Sequence, residues 1–204
     1  MYGSASHPVV RVPVGERWML KQLLDLGAQT ILVPMVESAA QACDPICAVR
    51  YPPIGVRAAL ARASAFHRIP DYLQTADKQI RLLAQIETRA GLAAIEEIAA
   101  VEGVDGIFTG PSDLAADRGH LGRPGDAPVR AAVEEGLKRI AAAGKPAGIL
   151  TADRVLANRY IDLGATFVAV GSDVSQLSNA TSALAGKFKM ARAVAPPIDP
   201  KSGY

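Results

Sequence analysis

Glu87 in AQIETRAG and Asp113 in GIFTGPSDLAAD each follow a short apolar run, Leu82 to Ile86 and Gly106 to Thr109. A run of that kind reads as a parallel strand covered on both faces, so each strand end delivers a carboxylate to a place where an unpaired charge is costly. If the two strands are neighbours, the acids converge within reach of one ion. Two carboxylates completed by water and substrate oxygens make a hard-oxygen site suited to Mg²⁺ or Mn²⁺. An ion there would take a substrate carboxylate and carbonyl oxygen and, as a Lewis acid, stabilise an enolate while a neighbouring carbon–carbon bond breaks. Gln85, two residues before Glu87 and on the same face of the strand, is placed to hydrogen-bond that carbonyl or a water on the ion. Arg11, in PVVRV, sets a cation in an apolar strand, which suits a developing enolate oxygen or an anionic substrate. The same residues allow plainer roles. Arg11 can form an ion pair with one of the acids, and Glu87 and Asp113 can cap helices, since ETRAG and SDLAAD both look like helix starts.

Those positions need a scaffold that presents strand ends. Apolar runs at 9–12, 31–36, 82–86, 106–109, 147–150 and 167–170 alternate with helix-period segments at 18–26, 38–49, 90–100, 129–143, 153–163 and 175–193. Strand followed by helix, six times, predicts a parallel α/β sheet. Gly27, Gly144 and Gly164 each close a helical stretch and precede a strand, where a left-handed cap suits glycine. Ligands of such sheets sit at the carboxyl ends of the strands, where Glu87 and Asp113 emerge. The stretch 50–78, containing YPPIGVRAALARASAFHRIPDY, has little periodicity and is too long for a passive connector, so it predicts a working loop over one end of the sheet.

Composition bounds the function. With 204 residues, half of them hydrophobic, the chain can bury one core and reads as a single domain, 1–204, with a poorly ordered arm at 194–204 that ends in APPIDPKSGY. The 22 Lys and Arg against 20 Asp and Glu are scattered, which leaves no footprint for nucleic acid but allows a small anionic substrate. No stretch reaches the roughly 18 apolar residues of a membrane span, and MYGSASHPVVRVPVGERW lacks the regions of a signal peptide, so a cytoplasmic protein is expected. Cys43 and Cys47 match no usual zinc spacing and read as reduced residues on a helix face.

The segments PVVRV, LKQLLDLGAQTILVPMVE, RYPPIGVR, ALARAS, RIPDYL, QIETRAG, VEGVDGIFTGPSDLAAD, GILT and FVAVGSD together resemble the metal-dependent (class II) pyruvate aldolases that cleave 4-hydroxy-2-oxo acids. Those aldolases act on substrates such as 4-hydroxy-2-oxoheptanedioate, 2-keto-3-deoxy-L-rhamnonate and 2-dehydro-3-deoxyglucarate, and the likeness runs from Pro8 to Phe188. It implies a TIM (β/α)₈-type barrel of the phosphoenolpyruvate/pyruvate superfamily, assembled as a trimer or a hexamer of paired trimers with the last helix exchanged between subunits. It further implies Mg²⁺, Mn²⁺ or Co²⁺ on Glu87 and Asp113, and Arg11 polarising the pyruvyl oxygen. Gln85 would stand beside the metal, the backbone around Ser112 would contact the substrate carboxylate, and Leu150 would line the aldehyde pocket. Asp25 matches the aspartate that orients the family's catalytic histidine, a partner that can lie across a subunit interface. Read on its own, Asp25 is an acid in the last turn of a helix, where it opposes the dipole, and a solvated helix end is the plainer alternative.

The chain also departs from that pattern. Residue 1 falls just before the family's third strand, and the six repeats, against eight in a closed barrel, imply that the first two strand–helix units and the acid/base histidine they carry are lacking. His7, His67 and His120 do not sit in that motif; His120 is the nearest to Asp113 in sequence, and a metal-bound hydroxide is a further candidate base. The glycine-containing turn that usually follows Arg57 is replaced directly by Ala58. Six strands leave the apolar edges at 9–12 and 167–170 unpaired, so a truncated chain is expected, with weak or absent cleavage from 1–204 alone. The alternatives are a lyase of the same superfamily acting on a coenzyme A ester, and a catalytically impaired barrel remnant that binds a metal or an oxo acid.

Overall fold

The computed structural model describes residues 4–59 and 62–194, and side chains up to 189. Most of the arm expected at 194–204 lies outside the described residues. The chain forms two compact units, Met1–Ala169 and Val170–Tyr204.

In the first unit six strands form one sheet: β1 (Val9–Arg11), β2 (Thr30–Val33), β3 (Arg81–Ile86), β4 (Gly106–Thr109), β5 (Ala147–Leu150) and β6 (Ala165–Ala169). Each lies beside its successor and every pair is parallel, which curls the sheet into a half-barrel. Parallel neighbours need a crossover, supplied by α1 (Arg17–Asp25), α2 (Ala39–Val49), α3 (Tyr72–Gln79), α4 (Arg89–Ala93), α5 (Ile95–Ala100), α6 (Pro111–Asp117), α7 (Ala127–Ala142) and α8 (Arg154–Asp162). The six expected repeats are therefore present. The helix expected over 90–100 is divided, because Ala94 leaves helical geometry at φ −93° and ψ 13°.

Strand alternation sorts the two faces of the sheet. Ile31, Val33, Leu82, Ala84, Ile86, Ile107 and Ile149 pack with Leu20, Ile98, Leu137 and other helix residues into one buried cluster. Each fully buried Leu or Ile there contributes about 1.5–3 kcal/mol. The intervening residues face the concave side in rows set by the register. Arg11 pairs with Leu32, Leu32 with Leu83 and Leu83 with Gly106; one step on, Gln85 pairs with Phe108, Phe108 with Gly148 and Gly148 with Phe167. Phe108 and Phe167 meet at 5.4 Å between ring centres. Gly148 lies between them, and a Cβ there would stand 2.5 Å from Cδ2 of Phe108, so any larger residue would displace that ring.

The segment 50–78 is partly ordered by a 3₁₀ turn at Arg62–Ser64 and by α3. It packs at the amino ends of the strands, opposite the end where Glu87 emerges. The Tyr51 N–H donates to Oδ2 of Asp77 at 3.1 Å, and Arg50 lies 4.0 Å from Asp105, whose carboxylate accepts the N–H of Leu82 at the start of β3. Arg57 is 3% exposed and lies over the rings of Tyr51 and Tyr72, at 4.6 and 5.6 Å, while Nη2 donates to the Tyr72 hydroxyl at 2.8 Å. Two ring faces stand in for a counter-ion, a role for which guanidinium is suited and ammonium is not. Cys43 and Cys47 lie on α2 and form no disulfide among the described residues.

The second unit is described by α9 (Asp173–Val194), whose start is closed by reciprocal backbone-to-hydroxyl bonds between Ser172 and Ser175, each 3.1 Å. Val174, Leu177, Leu184 and Phe188 recur along it at helical spacing. Among the described residues no helix is long and apolar enough to cross a membrane.

Candidate active site

Glu87 leaves β3 directly, and Asp113 stands in the first turn of α6, just past the end of β4. Because β3 and β4 are neighbours, with Ile86 beside Thr109, the two acids converge. Neither is a cap. Thr88 caps α4, its hydroxyl accepting the Gly91 N–H at 3.1 Å, and Gly110 holds the cap position of α6.

Glu87 is 2% exposed and its carboxylate is boxed in. Oε1 accepts the Met35 N–H at 3.0 Å from the exit of β2, and Oε2 accepts Nε2 of Gln85 at 2.5 Å. The exit of β4 closes the third side. A Cβ on Gly110 would collide with Oε2 of Glu87 and would come within 2.9 Å of its Cβ and 3.0 Å of the Gln85 amide nitrogen. Backbone bonds tie these exits together, Val36 N–H to Gln85 O and Gly110 N–H to Ile86 O, each 3.0 Å.

Burial holds the Glu87 carboxyl above the usual glutamate range, and the neighbouring Asp113 carboxylate pushes the same way, against the two hydrogen bonds it accepts. Native Glu87 therefore keeps its proton to higher pH than unfolded Glu87. The native state then binds more protons, so this contribution to stability is complete below about pH 4.3, the ordinary glutamate value, and is lost as pH rises through the folded pKa. Thermal unfolding of chelator-treated protein from acid to neutral pH should show that fall, and Glu87→Gln should remove it. An unchanged pH profile in the variant would refute the assignment.

No cation pairs with Glu87 or Asp113 among the described residues, and Oε1 of Gln85 is buried without a partner. Two converging acids, an orphaned amide oxygen and no counter-charge form an all-oxygen donor set. It fits a hard divalent ion that keeps water or substrate ligands, whereas the described residues hold no group of three acidic, His or Cys side chains of the kind that cages zinc.

The other anticipated residues divide into two groups. Arg11 ends β1, exposed on the concave face beside the Leu32–Leu83 row, with Gln85 one step further along β3; its side chain makes no hydrogen bond or ion pair among the described residues. Ser112 is exposed in the first turn of α6, and Leu150 is half exposed at the end of β5. Asp25 is not brought to this group. It ends α1, which returns the chain to the amino ends of the strands, and the six residues of β3 put about 20 Å between that end and Glu87. There its charge raises the Tyr51 phenol, itself pushed up mainly by burial. Among the histidines, His120 Nδ1 lies 2.6 Å from Asp126 within its own loop and His7 lies 2.7 Å from the Thr30 hydroxyl. Sequence reasoning missed Met35 and Gly110. The glycine in TGPSD was a readable signal, because it stands between a strand and a proline-started helix; the amide of Met35 left no trace in residue type.

A curled parallel sheet with its polar groups gathered past the carboxyl ends of the strands is the architecture of an α/β-barrel enzyme. Within that class the chain belongs to the HpcH/HpaI aldolase/citrate lyase family, which it matches over residues 1–180. It is 53% identical to a hydroxypyruvate/pyruvate aldolase of Agrobacterium fabrum over 204 residues, 98% of this chain and 76% of the relative. To a 4-hydroxy-2-oxo-heptane-1,7-dioate aldolase of Shigella sonnei it is 51% identical over 197 residues, 95% of this chain and 75% of that one. The crystal structure of a family member from Burkholderia cenocepacia superposes with a TM-score of 0.85 at 39% identity, covering 90% of this chain and 74% of the other. The chain is thus an aldolase, as the sequence resemblance implied, on the expected barrel-type fold.

Proposed function

We propose that this aldolase cleaves a 4-hydroxy-2-oxo acid to pyruvate, or its 3-hydroxy counterpart, and an aldehyde, with a divalent ion held by Glu87 and Asp113. The observation that carries the reading is the buried Glu87 carboxylate beside Asp113 with no cation to offset either. The names of relatives about half identical, hydroxypyruvate/pyruvate aldolase and 4-hydroxy-2-oxo-heptane-1,7-dioate aldolase, support the substrate class.

When bound, the ion supplies Lewis-acid polarisation of the 2-oxo group. The chain's own residues bind and orient the reactants. The C4 hydroxyl gives its proton to a solvent base, the C3–C4 bond breaks, and its electron pair moves through C2 onto the oxygen, giving an enolate and an aldehyde. Arg11, with free donors on the concave face, offsets the charge that develops on the C2 oxygen. Oε1 of Gln85, unpartnered and buried, is the acceptor available to orient a water or hydroxyl at that carbon. Backbone at Ser112 receives the substrate carboxylate, Leu150 borders the aldehyde, and a proton returned to C3 completes pyruvate. Asp25 lies at the far end of its own strands, so the role that the resemblance gives it would fall at the site of a second copy; we read the chain as a homo-oligomer, trimeric or hexameric, and as cytoplasmic.

The test uses the purified protein with 4-hydroxy-2-oxoheptanedioate, pyruvate being followed through a coupled dehydrogenase. Whatever release residues 1–204 support is expected to require the ion, being stopped by chelator and restored by Mn²⁺, Mg²⁺ or Co²⁺. Release at full rate in chelator would overturn the metal assignment.

A further inference from the structure

Met35 follows the buried Pro34 at the exit of β2 in a left-handed conformation, φ 57°. Such a conformation is unfavourable for a residue with a Cβ, and methionine, unlike Asn or Asp, has no side-chain hydrogen bond to offset it. The other non-glycine residues described in this conformation, Ala65 to His67 and Asp71, all lie in the 50–78 segment. At Met35 the conformation has an identifiable result. It turns the Met35 N–H onto Oε1 of Glu87 at 3.0 Å, while the next amide, Val36, bonds the Gln85 carbonyl at 3.0 Å. The turn is wedged from beneath by Gly91, whose missing side chain would stand 2.8 Å from the Val36 carbonyl oxygen.

We propose that Met35 is a positioning residue whose left-handed backbone, not its side chain, sets the orientation of the Glu87 carboxylate before any ligand arrives. One carboxylate oxygen is held by a main-chain donor just past β2 and the other by Gln85 on β3. The plane of the group is therefore set by two strands, and a buried acid that could otherwise rotate is held to one orientation. The consequence for cation affinity rests on the reading of Glu87 as a ligand; the positioning itself does not.

The test is Mn²⁺ binding by electron paramagnetic resonance on folded, purified protein. Met35→Gly keeps the amide and adopts φ > 0 without strain, and is expected to hold the Mn²⁺ dissociation constant within about threefold. Met35→Val, β-branched and poorly suited to this conformation, is expected to weaken it about tenfold or more. Equal affinity of the unaltered and Val forms, or an equal loss in Gly and Val, would overturn the proposal, the latter by assigning the effect to the side chain. Unaltered Mn²⁺ binding in Glu87→Gln would instead refute the ligand reading. Hydrogen exchange keeps the question decidable if Met35→Val does not fold: the Met35 amide should exchange at least about tenfold faster in metal-free Glu87→Ala than in unaltered protein, and no difference would refute the positioning bond.

Discussion

Glu87→Gln is expected to lower pyruvate release about a thousandfold or more, with Mn²⁺ binding lost in parallel. The reason is electrostatic. The substitution keeps the shape of the side chain but removes the charge that a hard cation requires, and a Lewis-acid contribution of about 4 kcal/mol corresponds to that factor. Misfolding is not the expected cause. The oxygen of the introduced amide can still accept the Met35 N–H, and a flip of Gln85 presents its unpartnered oxygen to the new NH₂ group. A buried carboxylate beside Asp113 is also a burden to the metal-free protein, so the melting temperature of the variant in chelator at neutral pH should equal or exceed that of the original. Retention of more than about a tenth of the rate would show that the ion, or the chemistry, lies elsewhere.

Arg11→Met should cost about 10² to 10³ in kcat/KM, the loss typical of one donor that stabilises a developing oxyanion. The side chain is exposed and unpartnered, so its removal breaks no described ion pair and should leave stability within about 0.5 kcal/mol. Mn²⁺ affinity should stay close to the original, which separates this variant from Glu87→Gln. If Arg11 contacts the C2 oxygen chiefly as charge develops there, kcat falls with kcat/KM; a rise in KM alone would assign it to ground-state binding of the substrate carboxylate. Arg11→Lys tests geometry within the same charge, because a single ammonium cannot reproduce a planar fork.

Much of the scaffold was legible because its signals are local. Six apolar runs and six helix-period segments marked the strands and all the helices except α3 and α6 to within a few residues, and Ser38 and Asp153 cap helices where the pattern predicts helix starts. The boundary inside 90–100 was not legible, since an alanine-rich stretch continues as readily as it breaks and Ala94 carries no breaker signal. The role of 50–78 was not legible either. Its length suggested a working loop over one end of the sheet; that the end is the amino end, with Arg57 buried against two tyrosines, is set by residues distant from one another in sequence.

Residue types and their period were sufficient for the parallel α/β class and the placement of Glu87 and Asp113 at strand ends, while the aldolase family came from the resemblance of its motifs. Each of these follows from short-range alternation or from motif identity. Only the tertiary structure decided which groups meet. The register of β3 against β4 brings the two acids together, the exit of β2 supplies an amide to Glu87, Gly110 leaves the space the carboxylate occupies, and Asp25 is carried about 20 Å away to the opposite end of the strands. Such pairings depend on register and crossover direction, which the hydrogen-bonded sheet sets as a whole and no single segment encodes.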